Sequence, residues 1–129
     1  MSKVRPQRAE DSASLSQWIN QTGIPVREQA WEGDISLVLA DGDERPIACL
    51  RLRPRLGLDL PRYSFHLGRI VHASTELRLF RVQPTLLLGN DHTGESELLD
   101  LACSPALDGH AQVLSLGLLV QAALARIAA

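Results

Sequence analysis

Residues 86–99 read LLLGNDHTGESELL, which sets Asn90, Asp91, His92, Thr93, Glu95 and Glu97 within eight residues between two apolar runs. An imidazole among carboxylates suggests three chemistries: metal ligation, a nucleophile relay, or general acid–base work. For a metal, His72, His92, Asp91 and Glu97 are the candidate ligands. No HExxH, no Cys/His pair at zinc spacing and no EF-hand loop accompanies them, so no metal is assigned. A relay of Ser96, His92 and Asp91 lacks the GxSxG turn that would present a nucleophilic serine. A general base drawn from His92, Glu95 or Glu97 fits better, because each sits at or near the start of a strand. The competing reading is a turn: Asn-Asp-x-Thr-Gly side chains bond local backbone groups while Gly94 takes a positive φ.

A second candidate lies in SPALDGHAQVL. Gly109 and Ala111 stand at a strand-to-helix junction, where small residues let backbone N–H groups approach a phosphate at the positive end of a helix. A third is the run of Arg45, Arg51, Arg53, Arg55, Arg62 and Arg69, half of the chain's arginines. It reads as the solvated face of a strand or as a landing patch for an anionic ligand.

These residues are positioned by the elements around them. The 129 residues, 45% hydrophobic, have room for one domain spanning residues 1–129 with one core. A net charge of -2 lacks the basic excess expected of nucleic-acid binding. Cys49 and Cys103 sit in apolar runs and read as small buried hydrophobes. The polar MSKVRPQRAED opening carries no signal or anchor pattern, which predicts a cytoplasmic protein.

Residues 3–8 read as a strand. A helix follows with Asp11 or Ser12 as N-cap, Leu15, Trp18 and Ile19 as its inward stripe, and Gly23 as its stop. After a loop with Pro25, two apolar strands flank Asp41-Gly42-Asp43 as a hairpin. In its second strand Leu50, Leu52 and Leu56 face a core and Arg51, Arg53 and Arg55 face out, and Pro54 suggests an edge or a bulge. SFHLGRIVHAS, ELRLFRV and PTLLLGND read as three further strands, and ESELLDLACS as another. A helix from about His110 closes the chain. It is apolar or small on nearly every side but short of a membrane span, so it implies self-association or a partner chain.

Val71-His72-Ala73-Ser74, Glu76-Leu77, Pro84-Thr85-Leu86, Asn90 to Gly94 and Ser96-Glu97-Leu98 follow one another within a run of some forty residues. This run resembles the arginine N-succinyltransferases, and VRPQRAEDSASLSQWINQTG resembles their first strand and helix. The resemblance implies an α/β (α+β) acetyltransferase-like fold, a mixed, mainly antiparallel sheet flanked by an N-terminal and a C-terminal helix. It implies succinyl-CoA, or another acyl-CoA, as cosubstrate, and the amine of arginine or ornithine as acceptor. Leu101 matches the position that contacts the acyl-CoA, and Gly109 to Ala111 would cradle its pyrophosphate. Asn90, Asp91 and His92 would line the acceptor side, with His92 and Glu97 as the candidate catalytic residues.

The resemblance also sets expectations through its departures. The family's chains continue through a C-terminal half that holds their catalytic histidine. Asp108 stands where the family has basic residues, and the segment from Gly23 to Asp34 is shorter. Two readings follow: an acyltransferase, or a non-catalytic homologue acting through a homo-oligomer or a hetero-oligomer with a related chain, with no nucleic acid and no membrane involved.

Overall fold

A computed structural model describes residues 1–22 and 29–129; the expected helix stop at Gly23 and the loop at Pro25 lie outside the described residues. The elements are β1 (Lys3–Pro6), a 3-10 turn (Ala9–Asp11), α1 (Ser12–Gln21), β2 (Ile35–Ala40), β3 (Pro46–Arg53), β4 (Ser64–Ser74), β5 (Leu79–Gly89), β6 (Glu97–Cys103) and α2 (Gly109–Ala128). They fall into two compact units, one of residues 1–54 and 96–129, the other of residues 55–95.

The first unit is a four-stranded sheet in the order β1-β2-β3-β6, with every neighbouring pair antiparallel. Alternation along β2 and β3 sends Leu37, Leu39, Ala48, Leu50 and Leu52 to one face, where Leu119 and Ala123 of α2 complete an apolar core. The opposite face offers Val38, Cys49 and Ala102 to the stripe Leu15, Trp18 and Ile19 of α1. Cys49 is therefore buried as expected, and Cys103 is part-buried, its thiol pushed up by that burial. By length and composition α2 is long and apolar enough to cross a membrane, against the sequence expectation. In the fold its Leu119 and Ala123 are fully buried in the leucine core.

The arginine face corrects the sequence reading. Arg51 and Arg53 do not face solvent; they are 6% and 2% exposed, so these two offer no landing patch for an anion, whereas Arg55 is exposed as expected. One carboxylate gathers them. Asp34 accepts from Arg53 Nε and from a second guanidinium nitrogen, both at 3.0 Å, while Arg51 lies 3.5 Å away. Trp31 stacks over the Arg53 guanidinium at 3.7 Å from the ring centroid and donates its backbone N–H to Asp34 at 3.0 Å. Arg53 also reaches the Gln29 carbonyl and Glu97, and Arg51 reaches Asp100 at 3.0 Å. β3 thus buries both of its faces as the strand between β2 and β6, and Pro54 ends it rather than marking an edge.

A second buried pair fixes the start of α1. Asp11 does not cap the helix through its side chain; its carboxylate accepts from Arg5 at 2.7 and 3.0 Å and from the Arg8 N–H at 2.8 Å.

The second unit is the antiparallel pair β4 and β5, in continuous register from Ser64 opposite Gly89 to Ser74 opposite Leu79. Two sequence segments expected as separate strands form the single strand β5, while Glu76 and Leu77 fall in the turn. Pro84 lies inside β5, opposite Arg69. A strand with a neighbour on one side only tolerates a residue without an N–H.

Removing Asp34 would leave two guanidinium groups buried with their shared counter-charge gone, a change that costs about 3–5 kcal/mol. Asp34→Ala is expected to lower the urea midpoint of unfolding accordingly. The Arg5 guanidinium holds Asp11 below the ordinary carboxylate range. At Asp34 burial pushes the pKa up, but bonds from Arg53 and Trp31 outweigh it and hold it low. A carboxylate depressed by folding adds stability above its unfolded pKa, about 3.9, and loses it as pH falls through the folded value. Thermal melting followed by circular dichroism should therefore drop below about pH 4. Asp11→Asn and Asp34→Asn should melt lower at neutral pH and depend less on acid.

Candidate functional site

The most distinctive backbone feature of the first unit is a bulge in β6. Cys49 pairs with Ala102 and Arg51 with Leu99, so Asp100 and Leu101 together oppose the single residue Leu50. Asp100 takes φ 52, a left-handed conformation that aspartate tolerates better than most side chains. Two contacts hold it there: the Arg51 guanidinium on its carboxylate and the Cys49 thiol, 3.5 Å from its carbonyl. Among the described residues β6 has β3 alone as a neighbour, so its outer edge presents backbone donors and acceptors. Leu101 stands on that edge, 38% exposed.

Beneath α1 the bulge borders a cavity of about 320 Å³ whose lining is mixed, with Leu15, Ile19, Cys49 and Leu50 beside polar groups that include Arg51 and Asp100. Its polar part joins hydroxyl and amide groups of Ser12, Ser16, Ser36 and Gln7 to that one carboxylate and one guanidinium. No motif announced this cavity. Its residues come from four elements, and Asp100 carries no glycine to signal its backbone angle.

The helix that follows β6 begins at Gly109, with Asp108 as its N-cap in extended conformation. The Asp108 carboxylate accepts from the Ala111 N–H at 2.8 Å. Gly109 and Ala111 thus occupy the junction the sequence assigned to them. The acidic cap, however, already engages one of the N–H groups that an incoming phosphate would use.

The polar cluster in the second unit is a turn built largely from its own contacts. Gly94 has φ 89, as turn chemistry requires. Thr93 donates its N–H and its hydroxyl to the Asn90 carbonyl at 3.0 and 2.7 Å, and the Glu95 N–H reaches the His92 carbonyl at 3.1 Å. His92 Nδ1 lies 2.8 Å from Glu95, and Asp91 lies 2.6 Å from His66 Nε2, a partner the sequence did not single out. Gly89 lets this pair close, since a Cβ there would fall within 3.1 Å of both side chains. Glu97, the other candidate base, belongs to the first unit and lies 3.5 Å from Arg53. No group of three His, Cys, Asp or Glu suited to a metal occurs among the described residues.

The sequence matches the family described as arginine N-succinyltransferase beta subunit over residues 7–128. Arginine N-succinyltransferase of Yersinia pestis (strain Pestoides F) is 33% identical over 81% of this chain and 37% of its own length. The corresponding protein of Escherichia coli O1:K1 is 32% identical over 81% of this chain and 38% of its own length. The chain therefore spans little more than a third of the curated relatives it matches. In fold it is similar to arginine/ornithine succinyltransferase subunit AI from Pseudomonas aeruginosa, with a TM-score of 0.64 and 23% identity over 89% of this chain and 43% of that one. An antiparallel sheet between two helices, in the order read from the sequence, agrees with that likeness. Matched along nearly its whole length, the chain belongs to the arginine N-succinyltransferase family.

Proposed function

We propose that this chain is the acyl-thioester-holding part of an N-succinyltransferase, with succinyl-CoA as donor and the amine of an amino acid of the arginine or ornithine type as acceptor. The observation that carries the reading is the braced bulge at Asp100 on an edge strand, beside a cavity with a polar end. A backbone N–H on such an edge stabilises the thioester oxygen as negative charge gathers on it. The neutral amine nitrogen attacks the carbonyl carbon, the carbon–sulfur bond breaks, and the CoA thiolate leaves. A base takes the proton the amine gives up. Asp100 at the cavity wall is already neutralised by Arg51, so the serine hydroxyls and Gln7 supply the hydrogen bonds that orient the incoming amine.

The phosphate end of the donor fits less well. Asp108 puts a negative charge and an occupied N–H at the start of α2, where the reading would seat the pyrophosphate. That observation favours a second reading, in which the chain keeps the family's sheet for architecture and serves as a non-catalytic partner in an oligomer.

Calorimetry with succinyl-CoA separates the two. Micromolar binding supports the transferase reading, and absence of heat up to millimolar concentration leaves the partner role. On the first reading Asp108→Asn, which keeps a capping side chain and removes the charge, is expected to tighten binding about two- to fivefold. Unchanged affinity in that variant would place the pyrophosphate elsewhere.

A further inference from the structure

We propose that a cleft on the first unit, lined by Arg8 and Arg126, binds the carboxylate of a short aliphatic substrate whose reacting end enters the cavity beneath α1. The identity of that reacting end rests on the transferase reading; the carboxylate site rests on the chemistry of the cleft itself.

The cleft measures about 510 Å³ and is built within one compact unit. Arg8 comes from the segment ahead of α1 and Arg126 from the last turn of α2, while Pro6 and Ile35, at the end of β1 and the start of β2, give it an apolar wall. Gln7, Ser12 and Ser36 line both this cleft and the cavity, so the two adjoin across a polar partition. That partition is lightly held. Gln7 Nε2 donates to Ser12 Oγ at 3.3 Å, a long bond in an exposed position. A rotation of the Gln7 side chain breaks it at little cost and joins the two spaces.

The charges of the cleft select an anion. Among the described residues the one carboxylate in its lining is Asp34, which is committed to Arg53 at 3.0 Å and to Arg51 at 3.5 Å. Arg126 is exposed and has no ionic partner among the described residues. Arg8 has Glu10 at 3.6 Å and Glu44 at 3.3 Å, exposed pairs that compete weakly with an incoming ligand. A guanidinium offers two parallel N–H donors to a carboxylate, and the wall of Pro6 and Ile35 suits the methylene chain behind it. Two sources of that group are compatible with acyl transfer: the far carboxylate of a dicarboxylic acyl group, and the α-carboxylate of an amino-acid acceptor.

Two charge-assisted contacts on an open surface set the expected dissociation constant for succinate on the order of 1–10 mM at low salt. Titrating the purified chain with sodium succinate should give saturable amide chemical-shift changes at Arg8, Ser12, Ser36 and Arg126, against sodium chloride at equal ionic strength. Arg8→Gln and Arg126→Gln should each weaken binding about five- to tenfold, while Arg81→Gln, in the second unit, should leave it unchanged; circular dichroism reports that each variant folds. L-Arginine and L-argininamide separate the two sources. Binding of arginine that its amide loses assigns the cleft to the acceptor, and binding of succinate without arginine assigns it to the acyl group. Either result supports the site. No saturable change at about 50 mM, several times the expected constant, would overturn it. So would shifts that chloride reproduces, shifts confined to residues 109–112, or unaltered affinity in both variants. These probes contain no CoA, so a carboxylate response together with silence toward succinyl-CoA defeats the transferase reading alone, and the reverse pattern defeats this site alone.

Discussion

One carboxylate organises the first unit. Asp34, 4% exposed at its side chain, holds Arg53 in a two-pronged contact and lies within 3.5 Å of Arg51. Because β3 is flanked by strands on both sides and covered on its leucine face by α2, its other face must bury whatever the sequence places there. Two arginines in that position are tolerable only with fixed counter-charges, and Asp34, Asp100 and Glu97 provide them. The network reaches from the segment before β2, across the sheet, to the bulge in β6. The geometry of Asp100 therefore depends on an aspartate sixty-six positions earlier in the chain.

The same network gives the cavity beneath α1 its charged end. Apolar contacts hold Leu15, Trp18 and Ile19 on Val38, Cys49 and Ala102. Leu15, Ile19 and Cys49 also line the cavity, and Ser12, Ser16, Ser36, Arg51 and Asp100 supply its polar part. One face of one strand thus carries a small apolar core at Cys49 and a charged pocket at Arg51, two residues apart. This adjacency puts a charge-bearing bulge beside a cavity whose remaining wall is the apolar contact of α1 with the sheet.

Much of this was legible from residues alone. The stripe of α1, the pairing of β2 with β3, the strand at Glu97 and the start of α2 all follow from periodicity and turn chemistry. The positive φ of Gly94 follows from its turn. The arginine face was misread because alternation gives the period of a strand and not which side is wet. The cover for Arg51 and Arg53 comes from Trp31 and Asp34, which sit in irregular chain and leave no periodic signal. ELRLFRV and PTLLLGND form one strand through Pro84 for a related reason: proline interrupts a strand paired on both sides, and the two-stranded pairing makes room for it. Asp100 left no trace, since nothing in an isolated aspartate announces a left-handed backbone.

The chain order of the hairpin bears on how the sheet assembles. β3 and β6 are neighbours, with Arg53 opposite Glu97, yet all of residues 55–95 lies between them. Closing so long an excursion from an open coil carries an entropy cost that grows with its length. The excursion can instead zip from its own turn at Thr75 to Arg78, on the microsecond scale of hairpins. Its base is fastened by the Leu56 N–H on the Glu95 carbonyl at 2.8 Å and the Gly94 N–H on the Leu56 carbonyl at 2.7 Å. Once those bonds form, the two stems leave side by side, and a pairing distant in sequence becomes local in space. The turn around Gly94 is thus a clasp that shortens the search by which the last strand of the sheet finds its place.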